Sequence, residues 1–190
     1  MENSYLVWII VGVVALLIIW AIAKYNRFVK LRNNRENAFA DIDVQLKQRH
    51  DLIPQLVATV KGYAGHEKET LDRIVNARAG AVNARNINEK IVAENALSSA
   101  LAGLKITVEA YPDLKANTNF MQLQEEISDI ENKLAAVRRY FNSATKELNT
   151  AIAMFPANII ANMFGFKKEM MFDLGIAERK TLEQAPQISF

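Results

Sequence analysis

The stretch "EAYPDLKANTNF", residues 109–120, packs Pro112, Asp113, Asn117, Thr118 and Asn119 between two long runs of helical periodicity. Its reading decides whether the chain continues as one rod or folds back. Proline has no backbone N–H and its ring clashes with the preceding turn, so Pro112 cannot extend the helix before it. Asp and Asn favour turns by bonding nearby backbone. Asn119 with Gln122 three residues on has the spacing of an N-cap. The stretch therefore predicts a turn between a third and a fourth antiparallel helix.

Downstream, apolar residues recur at Leu123, Ile127, Ile130, Leu134, Val137, Phe141, Ala144, Leu148, Ala151 and Phe155, in alternating steps of four and three. That is a heptad seam, the stripe along which helices pack in bundles and coiled coils. Glu125, Glu126, Glu131, Lys133, Arg138 and Lys146 surround it as a solvated face, and Pro156 is expected to end it. Upstream, Asn86 and Glu89 match a capping box for a third helix through Ile91, Leu97, Leu101, Leu104 and Val108 to Tyr111. A second helix is predicted from Glu67 to Val82 on Leu71, Val75 and Val82, closing in "ARAGAVNAR". The first carries Phe39, Ile42, Leu46, Ile53, Leu56, Val60 and Tyr63 on one stripe, interrupted only by Arg49. Pro54 falls inside it and frees the carbonyl of His50, which predicts a kink. The glycines of "GYAGHE", 62–67, supply a stop.

"YLVWIIVGVVALLIIWAIA", 5–23, contains no charged residue. As a helix its 19 residues reach roughly 28 Å, close to the thickness of a bilayer's hydrocarbon. Tyr5 and Trp8 stand near one end and Trp20 and Tyr25 near the other, where amphipathic rings favour the headgroup level. "AIA" at 21–23 imitates a signal-peptide cleavage site, but no Lys or Arg precedes the run and the run exceeds a usual signal core. No acid occurs between Glu2 and Glu36, whereas Lys24, Arg27, Lys30, Arg32 and Arg35 follow the span directly. By the positive-inside rule this flank stays cytoplasmic, and the same cations can attract anionic headgroups.

The fold expected is all-α: an N-terminal transmembrane helix followed by a long up-and-down antiparallel four-helix bundle. Its parts are an exterior tail 1–4, a span 5–23, a basic juxtamembrane segment 24–36, a bundle 37–155 and an apolar extension 156–190.

Five segments, "QRHDLIPQLVATVKGYAGHEKETL" at 48–71, "NARAGA" at 76–81, "AYPDLKANTNFMQLQEEI" at 110–127, "RRYFNSATKELN" at 138–149 and "FPANIIANMFGF" at 155–166, resemble the LemA family in this order. The resemblance covers nearly the whole chain. It implies a bacterial membrane protein with its N-terminus outside and a long cytoplasmic four-helix domain. It implies no established biochemical activity and assigns no catalytic or binding residues.

The residues argue for little chemistry. With no cysteine, thiolate catalysis and Cys-ligated zinc are excluded. A carboxylate-bridged metal site in a bundle needs Glu-x-x-His pairs, whereas Lys47 and Tyr63 stand three before His50 and His66. His66 is expected at a helix start and His50 beside the Pro54 kink. Ser98, Ser99, Ser128 and Ser143 lack a strained nucleophile turn, and the pairs Asp41/Asp43 and Glu125/Glu126 read as solvated faces. No phosphate-cradling Gly-x-x-x-x-Gly-Lys is present. Beyond position 23 the chain carries all 23 Lys and Arg and all but one of its 21 Asp and Glu, too balanced for nucleic acid. No cofactor, metal, nucleic acid or small-molecule substrate is expected.

The dense apolar run after Pro156 has no place in a four-helix core. Ile159, Ile160, Met163, Phe164, Phe166, Met170, Met171 and Phe172 have three places to be buried, the end of their own bundle, another subunit or the membrane surface, and subunit contact is the one expected, because Phe and Met are enriched at interface cores. The function expected is a non-catalytic, self-assembling scaffold on the cytoplasmic face of the bacterial inner membrane. Its partners are the bilayer, further copies of the chain and other membrane proteins. A signalling or stress-related subunit is the alternative, and an enzyme with an inter-subunit site comes after it.

Overall fold

The computed structural model describes residues 2–64 and 67–172, so the expectation for His66 and the end of the C-terminal extension lie outside the described residues. Among the described residues six helices follow one another: α1 Glu2–Tyr63, α2 Lys68–Asn83, α3 Ile87–Val108, α4 Pro112–Lys115, α5 Thr118–Ala153 and α6 Ala157–Met163. Among the described residues no strand occurs. The all-α class and the long apolar N-terminal helix are as expected.

The stretch at 109–120 turns as its chemistry requires, with a helical turn inside it. Pro112 opens α4 in the first-turn position where a missing N–H costs nothing, and Leu114 of that turn is fully buried. The cap of the next helix is Asn117, not Asn119: Asn117 Oδ1 accepts the Phe120 N–H at 2.9 Å, and its Nδ2 donates to the Tyr63 hydroxyl at 2.8 Å. Tyr63, expected on the buried stripe, is exposed at that bond. The Asn86 cap of α3 forms, and the Glu89 carboxylate reaches back one residue beyond it. Asn86 Oδ1 accepts from Glu89 N at 2.9 Å, and Glu89 Oε2 accepts from Arg85 N at 2.9 Å.

The chain divides into two compact units. One holds the described residues up to Asn37 with Ser143–Glu169; the other holds Ala38–Asn142 with the described residues from Met170 on.

In the larger unit a core gathers Ile53, Leu56 and Val60 of α1, Leu71 and Ile74 of α2, Leu97 and Leu104 of α3, Leu114 of α4 and Phe120 of α5. Two expectations for α2 fail: Val75 and Val82 are exposed, while Ile74 and Ala81 are buried. Helix α1 runs through Pro54. The carbonyl of His50, which proline deprives of its helical donor, instead accepts from Arg78 Nε at 2.7 Å. Arg78 comes from the small-residue tract of α2, so that tract supplies a bond the first helix lacks. Phe172 lies buried with Phe39 and Phe141, ring centroids 6.3 and 5.7 Å away.

The smaller unit packs Phe28 and Leu31 of α1, Leu148, Ala151 and Ile152 of α5, and Ala157, Ile160 and Ala161 of α6. The seam of α5 stops at Ala151, since the helix ends at Ala153 and Phe155 is 80% exposed. Helix α6 closes in a Schellman turn: Phe166 N donates to Ala161 O at 2.9 Å and Gly165 N to Asn162 O at 3.3 Å. The turn requires the left-handed region, and Gly165 supplies it at φ 74°.

Candidate functional site

One helix among the described residues, α1, is long and apolar enough to cross a membrane. Tyr5 to Ile19 and Ile22 are exposed, and only Trp20 and Ala21 of that run are half-buried. A helix that is apolar all round and exposed along nearly all of that run fits a hydrocarbon surround. Of the four rings expected at membrane interfaces, Tyr5, Trp8 and Tyr25 are exposed and Trp20 rests against the α6 cluster.

The five basic residues part company. Arg27, Lys30 and Arg32 are exposed and Lys24 is half-buried. Lys24 Nζ lies 5.9 Å from the centre of the Trp20 ring, and the Arg32 guanidinium 5.7 Å from that of Phe166. Arg35 is buried instead. Its Nε donates to Thr145 Oγ1 at 3.2 Å and its Nη2 lies 3.5 Å from Glu169. Burial pulls its guanidinium below the ordinary value, and the carboxylates of Glu169 and Glu36 oppose that pull. Arg35 is thus an internal tether, whereas Arg27, Lys30 and Arg32 are exposed and Lys24 is partly so.

The Schellman turn of α6 brings its following residues back over α1. Tyr25 lies 4.9 Å from Phe164 and 5.8 Å from Phe166, and Phe28 lies 5.2 Å from Phe166. Of the residues expected to form a subunit contact, Ile160 and Phe172 are buried in their own chain and Phe166 is half-buried. Packing within the chain removes these from the surface. Ile159, Met163, Phe164, Met170 and Met171 remain exposed.

The larger unit holds a charge cluster that helical periodicity alone does not reveal. Arg49, the interruption in the α1 stripe, is fully buried and pairs with Glu94, also fully buried, on the apolar stripe of α3. His50 Nε2 lies 2.7 Å from the other oxygen of Glu94, and Arg49 Nη1 donates to Ser98 Oγ at 3.1 Å and to Glu131 of α5. Glu131, expected on the solvated face, is therefore half in the cluster. Burial works to raise the Glu94 carboxyl, but the His50 hydrogen bond and the Arg49 charge together outweigh it and hold the group below its ordinary value. The signal that could have found the pair is an acid at a stripe position of one helix and a base at a stripe position of another.

Beside this cluster opens a cavity of about 360 Å³, walled mainly by Leu56, Leu101, Leu104, Val108, Phe120 and Ile127 and reached by Ser98 and Glu131. No group of His, Asp and Glu with metal-ligating proximity occurs among the described residues. The cluster's geometry is that of a charge pair locking three helices together.

A family model described as LemA family matches residues 38–190. Protein LemA of Metamycoplasma hominis is 26% identical over 159 residues, covering 83% of this chain and 73% of that protein. Magnetosome protein MamQ of Magnetospirillum gryphiswaldense is 22% identical over 175 residues, and Magnetosome protein MamQ 2 of Paramagnetospirillum magneticum is 21% identical over the same length. In both cases the match covers 78% of this chain and 64% of the magnetosome protein, just under two thirds of its length.

Proposed function

This chain belongs to the LemA family, and on that footing we propose that it is a membrane-anchored helical scaffold, without catalytic activity, that self-assembles at the cytoplasmic face of the bacterial inner membrane. The observation that carries the reading is α1 itself. Its run from Tyr5 to Ile22 is apolar and exposed at every residue but Trp20 and Ala21, and the same helix then supplies a buried stripe to a folded core. An uncovered apolar helix of that length is stable in lipid, and a helix with one buried stripe in a packed domain. The finer arrangement that fits the helix order is an up-and-down bundle of α1, α2, α3 and α5, which share one core. The match to the magnetosome proteins is too partial to bring their setting to this chain.

The orientation follows from Lys24, Arg27, Lys30, Arg32 and Arg35 on one flank of the span. A reporter fused after Phe190 and active only in the cytoplasm should light up. Replacing the five cations with Gln should weaken the preference, and a reporter active only outside would overturn the topology. For self-assembly, particle mass in mild detergent should be a multiple of the 21.4 kDa chain. A single-chain mass at every concentration would sink it. A second reading, a signalling or stress-related membrane subunit, is favoured by the buried Arg49–Glu94 pair, because one charge cluster that joins α1, α3 and α5 ties the packing of three helices to a single interaction.

A further inference from the structure

We propose that residues 154–168 form a second membrane contact, a foot that lies in the headgroup layer beside the span. The inference rests on the anchor reading and adds a surface to it.

Five large apolar side chains are exposed within eleven residues: Met154 56%, Phe155 80%, Ile159 56%, Met163 65% and Phe164 53%. The short helix α6 is two-faced. Ala157, Ile160 and Ala161 pack inward on α1 and α5, while Ile159 and Met163 point away from that cluster. Lys167 and Lys168 follow directly and are exposed. An apolar face with cations at its border is the composition of an element that sits at a lipid surface.

The occupant is fixed by depth. The cluster that holds α6 includes Trp20 and Ala21, the last turn of the span, and Phe164 touches the ring of Tyr25. Tyr25 lies two residues past the end of the apolar run, about 3 Å along the helix axis. Whatever packs at that height stands where hydrocarbon gives way to headgroups. Lys24, Arg27 and Lys30 follow on α1 within about 8 Å of that height and supply the positive charge an anionic leaflet attracts. A second copy of the chain is the competing occupant, but an exposed apolar face at this level needs no protein to cover it.

The absence of cysteine makes the test direct, since one introduced thiol carries one label. Full-length Phe155→Cys, Ile159→Cys and Met163→Cys, each bearing an environment-sensitive fluorophore, are reconstituted into phosphatidylethanolamine–phosphatidylglycerol vesicles. The lipids carry a nitroxide quencher near the headgroup end or near the methyl end of the acyl chain. Ile18→Cys reports the span and Val92→Cys a surface in the other unit. The foot predicts loss of emission at 155, 159 and 163 with the shallow quencher and little with the deep one. Ile18→Cys should be quenched by lipid and Val92→Cys by neither. Quenching at 18 without quenching at 155, 159 and 163 overturns the foot and leaves the anchor standing. No quenching at 18 overturns the anchor itself. Blue-shifted emission at 159 and 163 that resists both quenchers and reverts on dilution into excess lipid gives the face to a second copy and also overturns the foot.

Discussion

Residues 5–22 and 38–60 of α1 belong to one helix, yet they are written for different surroundings. In the first, apolar side chains point every way, and each is exposed except Trp20 and Ala21. In the second, Ile42, Leu46, Ile53 and Val60 are fully buried at helical spacing, while Asp41, Asp43, Lys47 and Asp51 on the same stretch are exposed. Periodicity records a neighbour on one side, and lack of periodicity records the same apolar medium on all sides. The one fully buried charge in the second region, Arg49, marks where the contrast is most sensitive.

Breaking that pair should give the largest effect. Glu94→Ala leaves Arg49 buried without its main counter-charge and should cost about 3–5 kcal/mol in denaturant unfolding, while the double variant Arg49→Met/Glu94→Leu recovers most of it. Equal losses in single and double variants would mean that the pair is not coupled. Next come the two regions of α1 themselves. Ile53→Ala should cost about 2–5 kcal/mol and Ile18→Ala well under 1 kcal/mol in detergent. A loss at Ile18 matching that at Ile53 would show the first region packed against protein. Leu134→Ala, fully buried, against Lys133→Ala, exposed, should repeat the contrast on α5 with similar magnitudes.

The smallest effect is with pH. The Glu94 carboxyl is held below its ordinary value in the folded chain, so its contribution is present above the unfolded carboxylate pKa of about 4.3 and is lost as pH falls through the folded value. Stability measured from neutral pH downward should fall less steeply in Glu94→Gln than in the native chain. Parallel curves would remove Glu94 from the acid limb.

Helix existence was legible because long stripes and a capping box are local signals; Asn86 and Glu89 do what their spacing says. The register of α2 was not, because its alanine-rich tract offers few large side chains and Ile74 competes with Val75 one position away. Phe155 continued the heptad on paper, but the helix ends at Ala153, ahead of Pro156. Asn117 took the cap from Asn119 because two asparagines at neighbouring positions offer the same chemistry, and only tertiary contact with Tyr63 separates them. The Arg49–Glu94 pair was hidden because a charge reads as solvated until its partner, 45 residues away, is known. The exposed aromatic face of the smaller unit was visible as a cluster. Its division into buried Ile160 and exposed Ile159 depended on where α6 turns.

Asn149 donates to the Glu169 carbonyl at 2.9 Å and accepts from its N–H at 2.8 Å; Asn142 does the same for Phe172 at 3.0 and 2.9 Å. A primary amide that faces both polar groups of one residue reads main chain and ignores what hangs from it. At these two points the address is written on α5 and the tail is only its bearer. Exchanging the Glu169 side chain would forfeit its ion pair with Arg35 but leave the amide grip in place. Asn149→Asp, which keeps an acceptor and loses the donor, would release the segment with its own sequence untouched.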